Sequence, residues 1–133
     1  MYFLKYAARC NIISIKLQEQ KITFNEFKLL INNGVKRLDF FQTTIKYCNG
    51  TVVPFEKIFA HLKNIKFVYY TFDDETAKLV TAETAKELTK VIDTSKLKVF
   101  HLERIPLTFD FKTLLKFEQT HGKIRFCFLY SVS

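Results

Sequence analysis

One apolar pattern recurs along the chain and constrains the fold more than any other feature. Large apolar residues occupy its first, fourth and sixth positions, as in Ile12/Ile15/Leu17, Val35/Leu38/Phe40, Ile65/Val68/Tyr70, Leu97/Phe100/Leu102 and Ile124/Cys127/Leu129. The pattern starts at residues 12, 35, 65, 97 and 124, at intervals of 23, 30, 32 and 27 residues. Recurrence at this spacing indicates one structural unit laid down repeatedly.

Each interval between two patterns carries one amphipathic helix. Apolar stripes at helical spacing predict helices at 22–33, 51–64, 81–93 and 110–122. Thr23 and Glu26 have the spacing of a capping box, Pro54 suits a first helical turn, and Gly34 and Gly122 follow helix ends. The start of the chain, residues 2–10, is interpreted as the last turns of a further helix.

A helix that always returns to a strand of the same register predicts parallel strands stacked side by side. We therefore expect a single α/β domain over residues 1–133. It is a leucine-rich-repeat-like solenoid, with parallel strands on the concave face and helices on the convex face. The predicted repeats are 11–34, 35–64, 65–96 and 97–122, with a final strand at 123–133. The alternative is an ordinary α/β or α+β sandwich whose sequence happens to repeat.

Two features depart from regular repeats. The position three residues after the last apolar site, where Asn or Cys commonly ties neighbouring turns together, holds Gln20, Thr43, Asp73 or Ile105. We therefore expect less uniform turns. Residues 43–53 also contain Asn49 and Gly50, a strong turn signal between alternating residues, which predicts a small hairpin excursion.

The order of these segments carries a family resemblance. A strand, an NGT insertion, a helix beginning VPFEKIF, the strand IKFVYYTF and then LKVFHLERIPLTFDFKTLLKF resemble the divergent repeats of nematode F-box and leucine-rich-repeat-like proteins. The resemblance implies the substrate-recruiting part of an F-box-type ubiquitin ligase adaptor. An F-box segment, with its Leu-Pro opening, is absent, so the resemblance implies recognition without coupling to ubiquitin transfer.

The predicted partner-binding residues flank the fourth position of each pattern, because side chains alternate across a strand. They comprise Ser14, Lys16, Arg37, Asp39, Phe67, Tyr69, Val99, His101, Phe126 and Phe128. Exposed aromatic residues beside charged ones are typical of protein interfaces, so another protein is the expected partner. The alternative is that the aromatic residues belong to the core, which a one-residue slip of register would cause.

Composition adds a second hypothesis. The chain has a net charge of +8, and Lys36, Lys66, Lys98 and Arg125 each follow the first apolar position of a pattern. Stacked strands would bring these cations into a basic row able to meet nucleic acid or another anionic surface. Named nucleic-acid motifs are absent, which favours the protein partner, and charges at strand entries also serve solubility.

The remaining sequence features point away from catalysis. Glycines are too few for a phosphate-binding loop, HExxH and GxSxG are missing, and the separated cysteines indicate neither disulfides nor zinc. We expect no enzyme activity, cofactor or metal, and an intracellular protein without a membrane span. The apolar final segment, KIRFCFLYSVS, predicts an unprotected strand edge through which the chain self-associates.

Overall fold

The computed structural model describes residues 3–7, 12–32 and 34–131, with side chains from residue 14 onward. These residues form eight strands and five helices. The strands are β1 (Phe3–Ala7), β2 (Ile12–Gln18), β3 (Lys21–Thr23), β4 (Arg37–Phe41), β5 (Thr44–Lys46), β6 (Phe67–Thr71), β7 (Val99–Ile105) and β8 (Arg125–Tyr130). The helices are α1 (Phe24–Ile31), α2 (Phe55–Phe59), α3 (Asp74–Lys78), α4 (Thr84–Val91) and α5 (Phe111–Thr120).

The main sheet has the order β1-β2-β4-β6-β7-β8. Strands β2, β4, β6, β7 and β8 are parallel, and each lies beside the next one along the chain. The prediction of an α/β protein with a parallel sheet is therefore confirmed. The small sheet β3-β5, also parallel, lies outside this series.

The chain start differs from the prediction. Residues 3–7 form β1, which pairs antiparallel with β2, so the helix expected at 2–10 is wrong where the structure describes it. Phe3 and Tyr6 are of residue types common in strands, and pairing with β2 favours the extended form. The rest of that helix, the Ile12 side chain and residues 132–133 of the predicted final strand lie outside the described part.

Helices cover one face of the sheet and form the core with it. The buried strand residues include Ile15, Leu38, Val68 and Phe100, all 0% exposed. Aromatic rings from the helices pack on this face, with Phe27 of α1 against Phe40, Phe55 of α2 against Tyr70, Phe59 of α2 against Phe100, and Phe117 of α5 against Phe126. We refer to this side as the core face.

Local signals in the sequence position these helices. Helix α1 begins after Thr23, whose hydroxyl accepts a hydrogen bond from the Glu26 N–H at 3.0 Å, while the Glu26 carboxylate accepts one from the Thr23 N–H at 2.8 Å. The predicted capping box is thus confirmed. The hairpin excursion is confirmed too, since Lys46 pairs antiparallel with Val52 and Gly50 has a φ of 88° in the turn between them.

Candidate functional site

The side of the main sheet away from the helices carries three rows of side chains in register. We refer to it as the open face. The first row is Ser14, Arg37, Phe67, Val99 and Arg125, the second is Lys16, Asp39, Tyr69, His101 and Cys127, and the third is Gln18, Phe41, Thr71 and Glu103. Neighbouring residues in a row lie on adjacent strands roughly 4.8 Å apart, so the rows form a continuous surface.

The central residues of the open face contact one another across three strands. The Arg37 guanidinium lies over the Tyr69 ring, 4.5 Å from its centroid, and its Nη2 is 3.9 Å from Asp39 Oδ2. The Tyr69 and His101 rings follow, with centroids 5.8 Å apart. These contacts hold Tyr69 between a cation and an imidazole, which limits the rotamers that its half-buried ring can adopt.

Beyond His101 the chain of contacts reaches a carboxylate. His101 Nε2 lies 3.3 Å from Glu103 Oε2, close enough to form an ion pair when the imidazole is protonated, and the two groups do not align as a hydrogen bond. Arg37 and Glu103 side chains are each more than two-fifths exposed. The open face therefore presents positive and negative groups around an aromatic centre, rather than a charge of one sign.

Most of the predicted partner-binding residues are brought together here. Besides Ser14, the open face holds Lys16, Arg37, Asp39, Phe67, Tyr69, Val99 and His101. Lys16 is exposed and the others are half-buried. Grouping on one face follows from the shared register of β2, β4, β6 and β7, which the repeated apolar pattern predicted.

The placement of Phe126 and Phe128 on that face is wrong. Phe126 pairs with Phe100 and Phe128 with Leu102, so both lie on the core face. Phe126 packs against Phe117 of α5 with ring centroids 5.6 Å apart. The physical reason is a one-residue slip: the turn into β8 is one residue shorter than the pattern assumed, which exchanges the two faces.

The same slip divides the predicted basic row. The Lys66 N–H donates to the Lys36 carbonyl at 2.9 Å and the Lys98 N–H to the Lys66 carbonyl at 2.8 Å, so these three lysines are in line. Arg125 is displaced by one residue, because it pairs with Val99. It joins the first row of the open face instead.

Sequence reasoning missed buried hydrogen bonds that connect neighbouring units. Asp73 is 6% exposed, and its Oδ2 accepts hydrogen bonds from the Thr44 hydroxyl at 2.6 Å and from the Thr76 N–H at 3.1 Å. Asp73 occupies the position where regular repeats carry Asn or Cys, which was the available signal. The Asp73 carboxylate makes the connection in this chain, and it also caps α3, a helix that the sequence did not predict.

Two tyrosine hydroxyls outside the open face have raised pKa values. Burial, with a smaller contribution from the nearby Asp73 charge, raises the pKa of Tyr70. Burial, together with Asp110, raises the pKa of Tyr130 to about 12, and its hydroxyl donates to the Phe109 carbonyl at 2.9 Å. Both hydroxyls stay protonated at neutral pH and act as structural groups.

Cys127 and His101 are neighbours on adjacent strands, a pairing that sequence distance conceals. Among the described residues no hydrogen bond joins the thiol to the imidazole. The described part of the chain also contains no group of three or more His, Cys, Asp or Glu residues placed to hold a metal ion. Within residues 3–7, 12–32 and 34–131, no helix has the length and apolarity needed to cross a membrane.

Comparisons with protein-family models, with curated proteins and with solved structures return no match to this chain. The resemblance to nematode F-box and leucine-rich-repeat-like proteins therefore stays a prediction. The open face and the sheet edges are the features of the molecule that bear on its function.

Proposed function

We propose that the chain is a protein-binding scaffold that uses the open face of its sheet. The observation that carries the proposal is that the helices of the described residues pack on the core face, while the open face holds Phe67, Tyr69 and Val99 at its centre. Apolar and aromatic groups gathered on an uncovered face are typical of interaction sites. Arg37 and His101 beside them match the residue types that interfaces enrich.

The charge pattern of the open face favours a protein over a polyanion. Asp39 and Glu103 lie in the rows that also contain Arg37 and His101. Carboxylates at these places would repel a phosphate backbone, whereas a folded protein or an extended peptide can offer complementary groups to both signs. Strand β8, at the edge of this face, could also add a peptide strand to the sheet.

The finer architecture belongs to the same proposal. We propose that the parallel units form a leucine-rich-repeat-like solenoid, because each strand lies beside its successor and the same register is kept from β2 to β7. Solenoids use their sheet face for binding. The narrower role, recruiting substrates for an F-box-type ubiquitin ligase, rests on the family resemblance alone.

Selection of peptides against the immobilised wild-type chain tests the binding proposal. Binders are then measured against the double variant Phe67→Ala, Tyr69→Ala and against the matched control Leu29→Ala, which removes an exposed apolar side chain from α1. We expect the double variant to weaken binding by about tenfold or more, because aromatic anchors dominate most interfaces. The control should bind as the wild type does.

The outcome that contradicts the proposal is equally specific. Binders that tolerate the double variant but lose affinity with Leu29→Ala would place the interface on the helical side. Circular dichroism of each variant establishes that a loss of binding is not a loss of folding. The ubiquitin ligase role has its own test: joined to an F-box segment, the chain should direct ubiquitylation of a selected binder.

A further inference from the structure

Charge is distributed unevenly between the two ends of the parallel strands. The loops that lead into the strands form the strand-entry edge, and they carry Lys36, Lys63, Lys66, Lys96, Lys98 and Lys123 against the single carboxylate of Asp93. The segments at the opposite ends of the strands include β3, β5, α3 and the end of β7. They carry Glu19, Asp73, Asp74, Glu75, Glu83, Glu103 and Asp110 against Lys21, Lys46, Lys78 and Arg104. The positive net charge of the chain is therefore concentrated at one edge, which creates a directed field.

Part of this edge is concave. A cleft of about 680 Å³ lies between the loop that precedes β7 and the loop that precedes β8. Its lining includes Lys96, Lys98 and Lys123, the hydroxyl residues Ser95 and Thr120, and His121. Carboxylates are absent from the described lining, so no negatively charged side chain of the cleft neutralises its lysines.

Helix ends do not account for these lysines. The last carbonyls of α5 would attract cations, but several of them have partners within the helix end itself. The single hydroxyl hydrogen of Thr120 is shared between the Lys116 and Phe117 carbonyls, 3.0 and 3.1 Å from Oγ1, and His121 Nδ1 lies 2.8 Å from the Phe117 oxygen. The backbone N–H of His121 donates to the Glu118 carbonyl at 3.2 Å.

The carboxylate of Asp93 is occupied as well. Its Oδ2 accepts from the Asn64 N–H at 2.9 Å, and its Oδ1 accepts from the Ser95 N–H at 3.0 Å and from the Ser95 hydroxyl at 2.7 Å. Among the residues with described side chains, Lys96, Lys98 and Lys123 form no ion pair with a carboxylate. These ammonium groups are left to solvent or to a ligand.

We propose that this cleft binds phosphate groups of a compact polyphosphate-type anion. Lysine supplies compact point charges that bind phosphate, and the described lining holds no carboxylate to compete with the anion. The described lining also lacks Phe, Tyr and Trp, the platforms on which single-stranded nucleic acids stack their bases. This site is separate from the open face and does not depend on the function proposed for that face.

Titration with inorganic tripolyphosphate at low ionic strength, followed by calorimetry, tests the proposal. The double variant Lys96→Gln, Lys123→Gln is compared with the control Lys21→Gln, Lys112→Gln, which removes the same charge from exposed positions outside the cleft. We expect the first pair to weaken binding by about tenfold or more, as loss of charge-assisted hydrogen bonds does. The control should retain most of the affinity.

Two further arms identify the source of the phosphate. Vesicles containing phosphatidic acid are compared with phosphatidylserine vesicles, and a single-stranded oligonucleotide is titrated in parallel. Binding of either tripolyphosphate or phosphatidic acid that depends on Lys96 and Lys123 supports the cleft. No binding of either one, equal losses in both double variants, or tighter binding of the oligonucleotide through other residues would overturn the proposal.

Discussion

The two faces of strand β6 have similar side chains and different surroundings. Val68 and Tyr70 on the core face are 0% and 1% exposed, whereas Phe67 and Tyr69 on the open face are half-buried. All four would suit the interior of a protein. The difference lies in the helices, which cover one side of the sheet only, and it shows that apolar character alone does not identify the core of this chain.

The largest expected effect is the loss of stability when a side chain of the core face is removed. Phe100 is fully buried and its ring lies within 6.2 Å, centroid to centroid, of Phe59, Phe126 and Phe128. Phe100→Ala should lower the free energy of unfolding by about 3–5 kcal/mol, because it leaves a cavity where helix and sheet meet. Urea denaturation measures the change.

Tyr69→Ala is the matched change on the open face. It should cost about 1 kcal/mol or less, because the Tyr69 ring is only half-buried and its removal leaves no enclosed cavity. Equal losses for Phe100→Ala and Tyr69→Ala would mean that something covers both faces.

The next effect concerns the hydrogen bonds of Asp73, which connect neighbouring units. Asp73→Ala removes the acceptor for the Thr44 hydroxyl and the cap of α3, so it should cost about 2 kcal/mol of unfolding free energy. The control Asp74→Ala loses an exposed ion pair to Arg104, with Nη2 and Oδ1 3.1 Å apart, and should cost less than about 1 kcal/mol. Thermal or urea unfolding that ranks the two variants in the opposite order would contradict the assignment.

A smaller effect concerns the pH dependence of stability, and it involves Asp93 in the loop that leads into β7. Hydrogen bonds from the Asn64 backbone and from Ser95 lower the pKa of Asp93 to about 2 from 3.8. Because the folded state favours the ionised carboxylate, this stabilisation is present above the unfolded pKa and is lost as the pH falls from about 4 towards 2. The loss should stay below about 1 kcal/mol at so exposed a site.

Asp93→Asn is the corresponding variant. Its unfolding free energy should fall less steeply than that of the wild type over this pH interval, as measured by urea denaturation at several pH values. Parallel pH profiles would show that Asp93 does not contribute.

The smallest effect concerns the edge of the sheet. Among the strands that the structure describes, β8 has a neighbour on one side only, and Leu129 is 48% exposed. We propose that a second copy of the chain pairs with this edge weakly, so sedimentation velocity should show a dimer fraction that grows with concentration.

A charge on the edge strand should oppose that pairing. Leu129→Lys should reduce the dimer, and the control Leu107→Lys, at a 74% exposed loop position, should not. A wild-type chain that stays monomeric throughout, or equal effects of the two substitutions, would refute the edge pairing.

The sequence predicted the parts of this fold that depend on repetition. Four parallel strands share the register indicated by Leu38 and its counterparts, and the capping box at Thr23 starts a helix. The repeated pattern works because each unit meets the same surroundings as its neighbour. Eight of the ten residues named as partner-binding consequently lie together on the open face.

Prediction failed where a unit differs from the others. A turn shorter by one residue moved Phe126 and Phe128 to the core face, and apolar pattern alone could not reveal it because β8 is apolar on both sides. Helix α3 spans only five residues, DETAK, too few for a helical stripe to be recognised. Asp73 was singled out only as a departure from the Asn or Cys of regular repeats, and it is buried because Thr44 from another unit reaches it.

Cysteine labelling tests most directly the central claim that one face is covered and the other is open. In a background where Cys10, Cys48 and Cys127 are serine, single substitutions Phe67→Cys, Val68→Cys and Tyr69→Cys are exposed to a thiol reagent under native conditions. We predict fast labelling at positions 67 and 69 and slow labelling at position 68 until the protein unfolds. Equal rates at all three positions, or protection of positions 67 and 69, would contradict the account.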